Sequence, residues 1–199
     1  MIYERLLGTQ FKKLHPKLQH RYTLPLNEPF YAEGVMHKIE QGIVLFKPFF
    51  HLTTHLEFLF PEAGENIPFT LKNTYIINEQ GEHLITFERK FYFEHITRSF
   101  YSAMHIDLEH NRALDTFGKP ALVSTTLGFK VTQDGSLITK SGAQNMIVPY
   151  AKIPLPSMLS TRGQSVDGYD EERDAFTIEV TNYNPVVGRI VNYLGEYWE

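Results

Sequence analysis

The sequence predicts a mainly β protein: an antiparallel meander that closes into a barrel or a strongly curved sheet, with two helices near the N-terminus. Three observations carry this prediction. Apolar positions recur at every second residue through Ile67, Phe69, Leu71, Asn73, Tyr75 and Ile77, and again through Ile85, Phe87, Arg89, Phe91 and Phe93. A period of two marks strands with one face in a core and one in water. Later strand-like segments follow one another across short turns, as at NEQGE and TQDGS, with no helix between them, which is the signature of a meander. The segments number roughly eight or nine, and a sheet of that length curls or closes because closure removes exposed edges.

Tyr3, Leu7, Phe11, Leu14 and Leu18 form one apolar stripe, predicting a helix over 3–18 that plugs one opening of the barrel, although Pro16 interrupts it near its end. LPLNEP is a connector, and residues 31–40 form a strand with Gly34 inside it. Leu45, Phe49, Leu52, Leu56 and Leu59 share a helical face, and Pro48 suits the first turn of a second helix spanning about 47–60. Phe46, Phe49 and Phe50 make an aromatic cluster there, suited to packing on the sheet, to a lid, or to a membrane-contacting edge. Pro61, Gly64 and Pro68 bound a loop. Strands at 67–77 and 83–93 pair as a hairpin, and a third strand places Ile96, Arg98, Phe100, Ser102, Met104 and Ile106 on one side. ALVSTTLGFKV, LITK and AQNMIVPYAKI continue the sheet. Residues 154–173 are expected to be irregular, a short helix plus a mobile loop. The C-terminal segment AFTIEVTNYNPVVGRIVNYLGEYWE gives two strands about an NYNP turn. No linker divides the chain, so residues 1–199 are taken as a single domain.

Composition narrows the function classes. With 42% apolar and 21% charged residues, the chain can bury one core and stay in water. The net charge of -4 and the lack of a basic block argue against nucleic acid as a partner. No cysteine is present, which removes disulfides and thiolate chemistry. The N-terminus lacks the pattern of a signal peptide and no stretch is long and apolar enough to span a membrane, so a cytoplasmic location is expected.

The residues that point to chemistry are Arg89 and Arg98, both in the core register of their strands. A guanidinium there needs an anion, supplied by Asp115, Glu172 or Glu179, or by the acid head group of a ligand. Together with Phe87, Phe91, Phe100 and Ser102 they form the candidate ligand-binding set. A slip of one residue in register would turn both arginines to solvent. His51 and His55 share a helical face, with Glu62, His15 or His105 as candidates to complete a metal site, but the H-E-x-x-H pattern is missing and no metal is expected. Ser102 and Ser165 have no recognisable base, and Ser165 with Asp167 falls in the segment expected to be a loop. The acidic run Asp167, Asp170, Glu171, Glu172 and Asp174 is expected to be solvated. No glycine-rich phosphate motif appears, so no cofactor and no catalytic residue is assigned.

Several positions together resemble the bacterial domain-of-unknown-function family 4166. They are Tyr3, Leu6, Leu7 and Gly8; Phe87, Arg89 and Phe91; Asp115, Phe117 and Gly118 before Ala121, Leu122 and Val123; Gly135 and Leu137; Pro154, Pro156 and Leu159; and Pro185, Gly188, Tyr193 and Gly195. Asp115 stands where the family more usually has Glu, and Phe87 where it has Trp. The resemblance implies no settled activity, and it places Arg89 in the family's central motif. The turn-and-strand ending is similar to lipocalin-like or fatty-acid-binding barrels, an analogy of fold alone. The expected function is non-enzymatic binding of a small apolar or amphipathic, acidic ligand inside the barrel. The alternatives are an interaction module with a filled core and an unknown partner protein, and an enzyme using barrel-rim carboxylates and histidines.

Overall fold

A computed structural model describes residues 1–42, 50–51, 53–156 and 158–199. Its strands are β1 (Pro29–Gln41), β2 (Gly64–Ile77), β3 (His83–Tyr92), β4 (Thr97–Asp107), β5 (Arg112–Phe117), β6 (Val123–Val131), β7 (Leu137–Val148), β8 (Ala151–Pro154), β9 (Arg162–Asp170), β10 (Ala175–Asn184) and β11 (Gly188–Trp198). Every strand pairing is antiparallel. Ten strands close into a barrel, with β1 beside β11 and β6 beside β7, while β8 is a hairpin extension of β7 outside the ring. The strand count exceeds the sequence expectation because β5 is short and β9 lacks apolar alternation.

The seam between β1 and β11 explains two glycines. Gly34 lies opposite Tyr197, and a Cβ on it would come within 2.2 Å of the Glu196 carbonyl oxygen. A Cβ on Gly195, opposite Met36, would meet the Val35 carbonyl at 2.5 Å. Only glycine allows the two strands this approach.

The N-terminal segment plugs one end of the barrel, as predicted, but not as one helix. It consists of α1 (Ile2–Leu7), a 3-10 turn over Gly8–Lys13, and α2 (Pro16–Arg21). Gly8, at φ 56°, stops α1, and Pro16 starts α2 at a position that needs no N–H. The stripe survives these breaks: Tyr3, Leu7, Phe11, Leu14 and Leu18 are all buried in the main core. The plug is tied to the rim by the His15 N–H to the Gly135 carbonyl (3.0 Å) and the Val131 N–H to Gln10 Oε1 (3.2 Å).

The opposite, far end is crossed by the segment before β2. Phe50, His51 and Thr53 are helical and Thr54–Leu56 is a 3-10 turn. The rest of the predicted 47–60 helix's first half, with Phe46 and Phe49, lies outside the described residues. The Glu57 and Leu56 carbonyls accept from Tyr101 N–H and Lys119 N–H, both at 2.7 Å. Phe58 and Phe60 follow: Phe58 stacks on Phe117 at 5.8 Å and Phe60 meets Phe91 at 5.2 Å. Pro68, read from the sequence as a boundary of the loop, sits inside β2 opposite Val35, where β2 has not yet begun to pair with β3 and tolerates a missing donor.

Candidate functional site

The predicted register places the arginines correctly on their strands. Arg89 lies between Leu71 on β2 and Phe100 on β4, and Phe91 faces Arg98, so both guanidinium-bearing residues share the inward face. Phe87 and Ser102 are opposite one another on the same face. The predicted set Arg89, Arg98, Phe87, Phe91, Phe100 and Ser102 therefore lines one wall, but its members have different surroundings.

Arg98 is near the far end and is paired. Its Nε donates to Glu62 Oε2 at 2.7 Å and its Nη2 to Oε1 at 2.5 Å, a bidentate bridge. Burial raises the Glu62 carboxyl's pKa, but the Arg98 bridge outweighs it and leaves the carboxyl below its ordinary range. The anion for this arginine is thus Glu62, not the Asp115, Glu172 or Glu179 considered from sequence. Glu172 and Glu179 are exposed, on the β9–β10 turn and the outer face of β10.

Arg89 has no such partner. Among the described residues it makes no hydrogen bond and no ion pair; its guanidinium lies over the rings of Phe87 and Phe100, at 5.4 and 5.3 Å. Cation–π contact attracts the charge but leaves its donors unused. Two inward carboxyls share its space. Asp115 on β5 follows the register through Met104 and Thr125, and Asp167 on β9 through Leu137 and Ile178. Asp115 is pushed up to about 7 by burial, against the pull of Arg89, Ser102 and the Thr116 N–H, and its buried Oδ1 has no hydrogen-bond partner. Asp167 is also raised by burial, opposed by Arg21, Arg89, Ser165 and Tyr22. The Tyr193 hydroxyl, on β11 and facing the same space, is raised by burial.

Ser165 and Asp167 correct the sequence expectation most directly. The segment expected to be irregular contains β9, whose inward positions are Gly163, Ser165, Asp167 and Tyr169. A strand whose core-facing side is polar shows no apolar alternation, so the pattern that found the other strands could not find it.

Arg21, which the sequence did not single out, is a third inward cation. It is 4% exposed at the end of α2; its Nε donates to Tyr197 Oη (2.7 Å), and Asn73 Oδ1 accepts from its Nη2 at 2.7 Å. The rings of Phe30, Tyr22 and Tyr197 surround it at 4.6, 4.9 and 5.6 Å. The Tyr193 and Tyr197 alternation at the C-terminus is the signal that could have located its partner.

The inward faces differ in how completely they are covered. Ile85, Met104, Phe69, Phe91, Met36, Leu137 and Tyr197 are 2% exposed or less. Phe87, Arg89, Phe100, Asp115, Ser165, Asp167, Val180 and Tyr193 face inward too, yet each keeps partial exposure. Two surface grooves flank the N-terminal helices, one lined by Ile2, Arg5, Leu24 and Tyr75, the other by Leu6, Gln10 and Phe129, and neither reaches Arg89, Asp115 or Asp167.

The histidines do not converge. His15 is at the plug end, 2.8 Å from Glu171, while Glu62 is engaged by Arg98 at the far end. Among the described residues no group of His, Asp or Glu could hold a metal ion, and no helix is long and apolar enough to cross a membrane.

Comparison with known proteins agrees with the resemblance seen in sequence. The model of the family described as "Domain of unknown function (DUF4166)" matches residues 14–197, and the chain belongs to that family. It is 35% identical over 198 residues to the uncharacterized protein YndH of Bacillus subtilis (strain 168), covering 100% of this chain and 96% of that one. No solved structure matches. The fold is a lipocalin-like barrel, with ten strands in the ring.

Proposed function

We propose that the barrel of this DUF4166 member encloses a lumen that binds one small amphipathic acid, without catalysis, and that Arg89 anchors its anionic head. The observation that carries this reading is the unpaired inward guanidinium framed by Phe87 and Phe100. A cation held away from bulk water with unused donors favours an incoming carboxylate or phosphate. The partial exposure of inward side chains on β3, β4, β5, β9, β10 and β11 supports an unfilled space beside it. The aromatic wall of Phe87, Phe100 and Phe117 suits the apolar body of such a molecule. Arg98, neutralised by Glu62, plays no part in holding the head group and instead fixes the far-end segment to β4.

Native mass spectrometry of gently purified protein, followed by solvent extraction, tests this. A stoichiometric acidic or amphipathic molecule is expected on the parent chain and absent from Arg89→Met. An apo mass that persists after incubation with mixed fatty acids would overturn the reading in favour of an interaction module with a filled core.

A further inference from the structure

The outer surface carries a charge asymmetry that the net charge conceals. Over residues 116–166 there are five bases, Lys119, Lys130, Lys140, Lys152 and Arg162, and one acid, Asp134. The rest of the chain carries the excess of acid that brings the total to -4. All five bases are exposed, and none has a carboxylate within ion-pair reach among the described residues. Asp134 is at the plug end, bonded to Ser136. The register gathers the bases. Lys130 on β6, Lys140 on β7 and Arg162 on β9 alternate with inward residues, so all three point outward from adjacent strands. Lys152 is on the β7–β8 hairpin, and the turn bearing Lys119 is joined to that hairpin by the Ile147 N–H to the Leu122 carbonyl (2.8 Å).

The same region exposes large apolar side chains. Every residue of β8 is exposed, so this strand lies outside the barrel wall, while the β7 half of the hairpin is paired with β6. Tyr150, at its tip, is 101% exposed, and Met146 and Ile153 are paired across it and open to solvent. Met158 and Leu159, in the loop that follows, are 65% and 62% exposed. This loop is held in place: Gln144 Oε1 accepts from Thr161 N–H at 2.7 Å, and Asn184 Nδ2 donates to the Met158 and Ser160 carbonyls at 2.8 and 2.7 Å. Val186, on the adjoining β10–β11 turn, extends the apolar set.

We propose that this face docks the protein onto an anionic phospholipid bilayer, with Tyr150, Ile153, Met158 and Leu159 entering the interface and Lys119, Lys140, Lys152 and Arg162 facing the lipid phosphates, while Lys130, beside the plug, lies at its margin. Unopposed bases on long stems beside protruding apolar side chains fit a fluid anionic surface, which needs no matching shape. A tyrosine at the hairpin tip, apolar along its ring and polar at its end, suits the headgroup level. The surface stands independently of what the barrel holds.

Co-sedimentation with vesicles tests it, using phosphatidylcholine alone and an equimolar mixture with phosphatidylglycerol. The parent chain is expected to pellet with the anionic vesicles only, and to be released by salt. Lys152→Glu with Arg162→Glu, and separately Tyr150→Ser with Ile153→Ser, should each weaken binding about tenfold or more. Lys12→Glu with Lys13→Glu, exposed bases at the plug end, should leave it unchanged. Failure of the parent to pellet, retention by the first two variants, or equal loss in the control overturns the proposal. So does a dimer, dissolved by the Tyr150 and Ile153 changes, that ignores vesicles; the face would then be an interface between protein chains.

Discussion

Arg21 and Arg89 are both arginines turned into the same barrel, and they are treated differently. Arg21, the last residue of α2 in the plug, is sealed, with Tyr197 and Asn73 taking two of its donors and three rings around it. Arg89 is toward the middle of β3, with rings for company and no acceptor. A buried cation is tolerated when its donors are satisfied. The first is therefore a structural group, completed by folding, whereas the second is completed by something else. The two rings over Arg89, Phe87 and Phe100, are only half-covered, whereas Tyr22, Phe30, Asn73 and Tyr197 around Arg21 are buried, which marks the same division in packing.

Three substitutions test this contrast. Arg21→Met has the largest expected effect: it orphans the Tyr197 hydroxyl and the Asn73 amide, and should cost about 3 kcal/mol in denaturant unfolding. A cost near zero would make the two arginines equivalent. Asp115→Asn comes next, and its effect depends on pH. Burial keeps the Asp115 proton on in the folded chain up to about 7, whereas the unfolded carboxyl releases it near 3.8. The folded state binds more protons across that window, so the parent loses stability as pH rises through it. The variant should remove Asp115's share of this slope, leaving that of Asp167, and be the more stable protein above it, by on the order of 2 kcal/mol, a figure below the full linkage because Asp115 keeps some accessible surface. Unchanged slopes in melts across the pH range would show that Asp115 is better solvated than its position suggests. The smallest effect on stability belongs to Arg89→Met, about 1 kcal/mol or less, since no hydrogen bond is lost. Its consequence should be confined to the extracted ligand.

The contrast also shows what a sequence can reveal. The position of Arg89 was legible because Ile85, Phe87 and Phe91 alternate around it and pin the register. Strand β4 was legible for the same reason, through Phe100, Met104 and Ile106. Strand β9 was not, because its inward face is Gly163, Ser165 and Asp167, and the residues that make an interior polar also erase the pattern that announces a strand. The N-terminal stripe was visible, but the breaks at Gly8 and Pro16 changed one helix into three short pieces without changing which side chains are buried. The partner of Arg98 was missed because Glu62 lies in an irregular segment, and chain separation alone gives no reason to pair them. Arg21 was missed because its partners are a neutral phenol and an amide, which carry no charge signal.

The seam between the first strand and the last has a consequence for how the chain is made. During synthesis from the N-terminus, β1 can pair with β2 at once, but its other edge waits for β11. Arg21 waits as long: the hydroxyl that accepts from it is 176 residues further along. A nascent chain therefore carries an open sheet edge, and a guanidinium that only water satisfies, until β11 has been made, and closure has to overcome the entropy of a very long loop. Such intermediates are the ones that bind chaperones or each other, so variants that weaken the pairing of β11 with β1 should lower the yield of folded protein.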